Sequence, residues 1–214
     1  MEARIANPKR RERRTGSKAR SLSGERAQAI VEAMRESVAE VGIAGSTFDR
    51  VSAKAGVSRG LLHYYFGTKE RLLVEVIRRD TDYRIEALSG ELRAAKSVDD
   101  VIGAFFTAFT RTMDERGYVF MVSELFVAGR NQPDVLAELG ALYGRARREF
   151  AEILREKERE GVIRPRFGIE PVLAYLFSAG DGMSVQALSD PSLDREGYAE
   201  VAYATARFLL DAEA

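Results

Sequence analysis

The sequence predicts an all-α fold of about nine helices, and two observations support this prediction. Helix-breaking residues cluster at a few points, and between them apolar residues recur at spacings of three and four, the period of an amphipathic helix. No segment alternates apolar and polar residues over the length of a convincing strand. We therefore expect helices packed on helices.

The composition is that of a globular protein. Hydrophobic residues make up 45% and charged residues 31% of the 214 residues, and no apolar run approaches the roughly 20 residues that cross a bilayer. The absence of cysteine excludes disulfides and thiolate metal sites, and the basic N-terminus lacks the apolar stretch of a secretory signal. We expect a cytoplasmic protein without a membrane segment and without a cofactor.

The zero net charge conceals an asymmetry along the chain. Residues 1–75 hold 15 Lys and Arg against 9 Asp and Glu, whereas the remainder is acidic to the same extent. A basic N-terminal unit is typical of a module that faces a polyanion, although chance clustering with a solvated tail would give the same balance.

Four helices are predicted in the N-terminal part, after residues 1–21, which have too few apolar groups to fold and are predicted to form a flexible basic arm. The first runs from about residue 23 to Gly42. The second covers residues 48–55 behind Thr47 or Ser46, the third follows Ser58, and the fourth runs from Thr68 to about residue 95. Their caps are the residue types that accept hydrogen bonds from a helix N-terminus.

Five more helices are predicted from the breaks between them. These breaks are Ser97 before the fifth, Gly117 before the sixth, Asn131 and Pro133 before the seventh, Gly161 after it, Pro171 at the start of the eighth, Pro191 at its end, and Asp194 before the ninth, which ends at Leu210.

The second and third helices are one tight turn apart, as in a helix-turn-helix. Gly56 suits the turn because the turn is expected to need a positive φ, which a residue with a Cβ adopts only with strain. Leu62 and Phe66 are four residues apart and are predicted to face inward. The opposite face carries groups suited to base edges and phosphates, namely Arg59, Gly60, Leu61, His63, Tyr64 and Tyr65.

This stretch resembles the DNA-binding signature of the TetR family of transcriptional repressors. The matching residues are Thr47, Ala55, Gly56, Val57, Ser58, Gly60, Tyr64, Tyr65, Phe66, Lys69, Glu70 and Leu72. The aromatic ending followed by Gly-x-Lys is similar to the choline-responsive branch of that family. The resemblance covers about residues 23–75 and implies that residues 22–68 form a DNA-binding domain and residues 69–214 a ligand-binding and dimerisation domain.

The resemblance also implies roles for single residues. Arg59, Gly60 and Leu61 would approach bases, and Thr47, Tyr64, Tyr65 and Lys69 would hold phosphates. The full predicted DNA-binding set is Thr47, Ser58, Arg59, Gly60, Leu61, His63, Tyr64, Tyr65 and Lys69. Two positions depart from the family pattern. His63 stands where a tyrosine is usual and Ser52 where an alanine is usual. A serine at position 52 indicates either slightly looser helix packing or a local hydroxyl bond to the helix backbone.

The C-terminal part offers material for a binding cavity. An aromatic stripe on the fifth helix is usually plain core, but here methionines and polar groups accompany it. The predicted ligand-binding residues are Phe105, Phe106, Phe109, Met113, Phe120, Met121, Glu124, Leu125, Tyr143, Arg147 and Tyr175. We expect a small organic effector, and Glu124 among phenylalanines predicts a cationic one, with Asp181 as further pocket polarity.

Small residues recur in the last two helices, which predicts that they form a homodimer interface by close helix packing. The expected protein is a ligand-responsive repressor that binds an inverted-repeat, double-stranded DNA operator as a homodimer. Two alternatives stay open: an all-helical small-molecule-binding enzyme, which the single histidine and missing catalytic motifs argue against, and an architectural DNA binder without ligand control.

Overall fold

The computed structural model describes residues 25–213, and within them it contains nine α-helices and no strand, which confirms the predicted all-α class. The helices are α1 (Glu25–Gly45), α2 (Phe48–Lys54), α3 (Arg59–Tyr65), α4 (Lys69–Ala94), α5 (Val98–Asp114), α6 (Arg116–Gly129), α7 (Pro133–Arg159), α8 (Ile169–Ser189) and α9 (Arg195–Leu210). The predicted basic arm, residues 1–21, lies outside the described residues.

Side-chain caps begin the helices where the sequence predicts them. The hydroxyls of Thr68 and Ser97 and the carboxylate of Asp194 accept hydrogen bonds from backbone N–H groups of α4, α5 and α9. At α5 the Asp100 carboxylate also accepts from the Ser97 backbone N–H, which completes a capping box. These caps satisfy donors that the first helical turn leaves without a partner.

The helix ends differ from the prediction at two glycines. Gly42 has a φ of 71° and kinks α1, which continues for one more turn to Gly45. Gly117 was predicted to separate α5 from α6 but lies in the first turn of α6, and the break falls at Glu115, with φ −86° and ψ 66°. The glycine prediction was wrong because the α5 to α6 connection needs no positive φ.

One hydrophobic core joins α1, α2 and α3 to the first half of α4 and to α6 and α7. The side chains of Ile30 and Met34 on α1, Leu62 on α3 and Leu72 on α4 are fully buried in it. Leu125 of α6 belongs to the same core. The first three helices, which we call the headpiece, are thus packed directly on the helices that follow, and the domain boundary after residue 68 stays a prediction.

A second core fills the opposite end of the molecule, between α5, α7, α8, α9 and the end of α4. There the buried Lys157 ammonium donates to the backbone carbonyls of Arg93 and Ala95, at 2.8 and 3.1 Å, and satisfies the C-terminus of α4. The long helix α4 therefore reaches from the headpiece to this second core.

Two classes of feature are not found in residues 25–213. None of the helices there combines the length and apolarity that a membrane crossing requires. The same residues contain no cluster of three or more His, Asp or Glu side chains that could hold a metal ion.

Candidate functional site

The helix-turn-helix is set by two caps and one glycine. The Thr47 hydroxyl accepts from the Arg50 backbone N–H at 3.3 Å and begins α2, and the Ser58 hydroxyl accepts from the Leu61 backbone N–H at 3.3 Å and begins α3. Between them Gly56 has a φ of 64°, a conformation that a side chain would strain. Ser46, the other predicted cap, instead pairs with the buried Ser37 hydroxyl at 2.9 Å.

The inner face of this unit packs as the sequence predicts. Leu62 and Phe66 are buried on one side of α3, against Phe48 and Val51 of α2. The buried Ser52 hydroxyl donates to the Asp49 carbonyl at 3.0 Å, which confirms the predicted bond to the helix backbone. These contacts fix the orientation of α3 and leave its other face uncovered.

The outer face presents most of the predicted DNA-binding set to solvent. The exposed members are Thr47, Ser58, Arg59, Gly60, His63 and Tyr64, whereas Leu61, Tyr65 and Lys69 are half-buried. Tyr64 is 60% exposed and meets Tyr65 edge-to-face at 5.1 Å between ring centroids. Leu61 and Tyr65 pack partly on the headpiece core, so their contribution to the outer face is limited to their outer edges.

Arg59, at the start of α3, is held by two neighbours. Its guanidinium lies 3.1 Å from the Asp49 carboxylate and its Nε donates to His63 Nε2 at 3.3 Å. The His63 ring in turn meets Phe48 edge-on at 4.8 Å. Arg59 remains more than half exposed, so a surface ion pair of little strength is its main restraint.

Lys69 connects the headpiece to α4. Its ammonium donates to the Ile43 carbonyl in the last turn of α1 at 3.1 Å, and Gly67, two residues before Lys69, has a φ of 74°. An ammonium has three donors, so this bond leaves two for another acceptor.

A cavity of about 930 Å³ lies behind the headpiece, lined by α1 and by α4 through α9. Its apolar wall includes Phe105, Phe106 and Phe109 of α5, Phe150 of α7 and Phe177 of α8. A cavity of this size with an aromatic lining is typical of a small-molecule site.

One polar cluster in the cavity surrounds Arg84 of α4. Its guanidinium donates to the Thr112 hydroxyl at 2.9 Å, pairs with the Glu115 carboxylate and lies 4.2 Å from the centre of the Tyr118 ring. Its buried Nε has no hydrogen-bond partner within residues 25–213. Burial is the main cause that raises the pKa of the Tyr118 hydroxyl.

Asp80, one turn before Arg84, pairs with Arg35 of α1, and both line the cavity. Burial raises the pKa of the Asp80 carboxyl, and the Arg35 charge opposes that shift without cancelling it. Since α1 belongs to the headpiece, this ion pair joins the cavity wall to the helix-turn-helix.

A second polar cluster joins Tyr143 of α7 to Asp181 of α8. The Tyr143 hydroxyl lies near the Asp181 carboxylate, and burial followed by the charge of Asp181 raises the pKa of Tyr143. Burial also raises the pKa of the Asp181 carboxyl. Both side chains line the cavity.

The predicted ligand-binding residues divide into two groups. Those that line the cavity are Phe105, Phe106, Phe109, Met121 and Tyr143, and those outside its lining are Met113, Phe120, Glu124, Leu125, Arg147 and Tyr175. Leu125 and Met113 are buried in packed surroundings, whereas Phe120, Glu124, Arg147 and Tyr175 are exposed. The sequence prediction also did not include Asp80, Arg84 and Tyr118.

The helical phase of α6 explains the position of Glu124. Tyr118, Met121 and Val122 of α6 line the cavity, which leaves Phe120 and Glu124 on the opposite side of the helix. Because α6 is apolar on several sides, its sequence does not indicate which side faces inward. Asp181 had a clearer signal, as the single charged residue in the interior of the apolar helix α8.

A helix-turn-helix carried on a helical body with an internal cavity defines a class of bacterial regulatory protein. Residues 30–76 match the family model described as bacterial regulatory proteins, tetR family. The HTH-type transcriptional regulator BetI of Rhizobium meliloti strain 1021 is 32% identical over 123 residues, which cover 58% of this chain and 53% of BetI. The HTH-type transcriptional repressor AcnR of Corynebacterium efficiens is 37% identical over 62 residues, 29% of this chain and 33% of AcnR.

The chain thus spans about half the length of the first of these relatives and a third of the second. A solved structure extends the likeness in fold. A protein from Mesorhizobium loti MAFF303099, described as a TetR-family transcriptional regulator, superposes with a TM-score of 0.74 at 16% identity, covering 90% of this chain and 100% of that one. Residues 30–76 are thus similar to the N-terminal domain of the TetR family of bacterial regulatory proteins, and the fold over 90% of the chain is similar to that of a TetR-family regulator.

Proposed function

We propose that the protein is a ligand-responsive transcriptional repressor that binds an inverted-repeat DNA operator as a homodimer and leaves it when a small organic effector occupies the cavity. The observation that carries this proposal is the outer face of α3, whose polar and aromatic side chains are exposed while its inner face is fully packed. A helix presented in this way fits the major groove.

The distribution of roles over the outer face follows from its geometry. Arg59 lies at the N-terminal end of α3, where recognition helices contact base edges, and a guanidinium can bind guanine in a bidentate way. Thr47 and Lys69 flank the helix, and Tyr64 and Tyr65 lie in its last turn. All four suit phosphate contacts, which position a protein without reading sequence. Ser58, Gly60, Leu61 and His63 complete the proposed surface.

The homodimer is supported by apolar side chains that α8 and α9 expose. Tyr175 and Val185 on α8 and Val201 and Phe208 on α9 are all more than half exposed. Ala174, Ser178 and Gly182, four residues apart on α8, add a small exposed face that lets a second helix approach closely. A homodimer through the last two helices would bury these residues.

Effector release is supported by the path of α4. This helix begins at Lys69 beside the headpiece, and Asp80, Arg84 and Leu88 farther along it line the cavity. A ligand that shifts α4 or the Arg35–Asp80 pair would move the headpieces relative to each other, while half-sites have a fixed spacing of about 34 Å. Coupling of this kind is typically about 1–3 kcal/mol.

Selection of bound duplexes from a random library tests the DNA-binding part. We expect an inverted repeat, and the affinity for it should fall with salt by about 0.9 log units per log unit of salt for each phosphate contacted. A recovered sequence without two-fold symmetry, or a salt slope of less than about two, would contradict the proposal.

The dimer has its own test in Val201→Asp, which places a charge on the exposed face of α9. We expect sedimentation to show a monomer and the affinity for the selected duplex to fall about 100-fold, since one half-site alone is then bound. The matched control is Val127→Asp, at an exposed position of α6 outside the proposed interface. A dimer that persists in Val201→Asp would place the interface elsewhere.

A further inference from the structure

Asp181 differs from every other acidic residue that lines the cavity. The others each have an arginine partner: Asp80 with Arg35, Glu91 with Arg111, Asp114 with Arg195 and Glu115 with Arg84. Asp181 has no lysine or arginine within ion-pair distance among residues 25–213. Arg147 of α7 acts on its charge only from farther away and does not line the cavity.

The surroundings of Asp181 are aromatic and hydroxyl-bearing. The hydroxyls of Tyr143 and Tyr118 share the cavity lining with its carboxylate, and Asp181 and Tyr118 both lie close enough to influence the Tyr143 hydroxyl. The carboxylate is exposed to the cavity but partly withdrawn from water, which raises its pKa. A charge in such a place is stabilised by a counter-ion, because water cannot solvate it fully.

The cavity also contains a ring that already accepts a cation. The Arg84 guanidinium lies 4.2 Å from the centre of the Tyr118 ring, the geometry in which the ring quadrupole attracts positive charge. The remaining wall is apolar, with Phe105, Phe106 and Phe109 opposite α8. Gly180 lets the Phe109 ring lie directly on the backbone of α8, beside Asp181.

We infer that the cavity binds an organic cation, with an ammonium group paired to the Asp181 carboxylate and an apolar body among the phenylalanines. This inference rests on the proposed function, because it names the chemical class of the effector. Among the described residues, Arg116 is the only basic residue that lines the cavity without an acidic partner. It is exposed at the start of α6 and donates to the Leu188 carbonyl at 3.3 Å. Asp181 is therefore the acidic group of the lining without an ion-pair partner, and it follows Gly180, against which the Phe109 ring packs.

Three probes of one length separate charge from apolarity: octylammonium, 1-octanol and octanoate. Calorimetric titration of the full chain should give octylammonium an affinity roughly tenfold above that of octanol, and further above that of octanoate. In Asp181→Asn the advantage over octanol should fall below about threefold, since the amide keeps an acceptor for Tyr143 but loses the charge.

The matched control is Glu124→Gln, which makes the same change from carboxylate to amide on the exposed side of α6, outside the cavity lining. It should leave the octylammonium preference unchanged. If Asp181→Asn does not fold by circular dichroism, Asp181→Ala serves in its place, because alanine suits a helix interior. A preference that survives the loss of Asp181, or that responds to Glu124→Gln, would overturn the inference.

Release of the selected duplex separates this inference from the proposed function. Octylammonium that binds through Asp181 yet leaves the duplex bound would support the cation site and contradict effector release. A duplex that is released by octanoate or octanol but not by octylammonium would support release and overturn the cation site. Fluorescence anisotropy of a labelled duplex measures both outcomes.

Discussion

The helix-turn-helix and the cavity are built from the sequence in opposite ways. The outer face of the helix-turn-helix comes from one contiguous stretch, residues 47–69. Within it the helix caps and one turn determine where α2 and α3 begin and how they are oriented. The cavity instead draws its lining from seven helices, between Arg35 and Leu210. A local motif can thus be predicted from the sequence, whereas a cavity depends on which face each helix packs against its neighbours.

The two regions also differ in packing. Leu62 of α3 is fully buried in the headpiece core, while Leu176 of α8 and the phenylalanines of α5 are half-buried around open space. Close packing fixes the orientation of α3, the proposed DNA-contacting helix, and the incomplete core leaves open space at the proposed ligand site. The following predictions test this difference.

The largest effect is expected from Leu62→Ala. Truncation in a closely packed core should lower the free energy of unfolding by about 2–5 kcal/mol. Leu176→Ala makes the same chemical change at the cavity wall, where it only enlarges an existing space, and should cost about 1 kcal/mol. Urea denaturation of both variants measures the difference, and equal losses would contradict the contrast in packing.

Gly180→Ala is expected to disturb the cavity. A Cβ at this position would lie 2.0 Å from Phe109 Cε2, so the ring must move, at a cost of about 1–3 kcal/mol in stability. Gly140→Ala on α7 is the control, because nothing lies within 4 Å of its Cβ and alanine should stabilise α7 by up to about 1 kcal/mol. Thermal unfolding should move in opposite directions, and a shared direction would argue against the tight Phe109 contact.

Arg59→Ala should change DNA specificity rather than stability. We expect preference at one base pair in each half-site to fall by about 1–3 kcal/mol. Lys69→Ala should instead weaken binding to all sequences alike, because a phosphate contact carries no sequence information. Competition binding with single-base variants of the selected duplex measures both, and a uniform loss in Arg59→Ala would refute the proposed base contact.

The smallest effects are expected at the helix caps. Ser58→Ala and Ser97→Ala each remove a hydroxyl that accepts from a backbone N–H, at a cost of about 1 kcal/mol in unfolding free energy. Only Ser58→Ala should also weaken DNA binding, since it loosens α3 itself. If Ser97→Ala weakens DNA binding as much, the headpiece depends on α5 more than its contacts indicate.

The same contrast explains which sequence predictions succeeded. Caps at Ser58 and Thr68 follow from residue type and position, so they were predicted correctly. For α2 the sequence left Thr47 and Ser46 open, and the structure has Thr47 as the cap. The break at Gly117 was wrong because a glycine permits a turn without requiring one. The helix that carries Glu124 was predictable, but the direction of its side chain was not, because α6 is apolar on several sides.

The sequence by itself determined the all-α class, the helix-turn-helix and the inward direction of Leu62 and Phe66, since these depend on periodicity and capping within a few residues. The tertiary structure alone decided that Arg84 stacks on Tyr118 and that Asp181 meets Tyr143. Those pairs lie on different helices, and only the packing of α4 against α6 and of α7 against α8 brings them together.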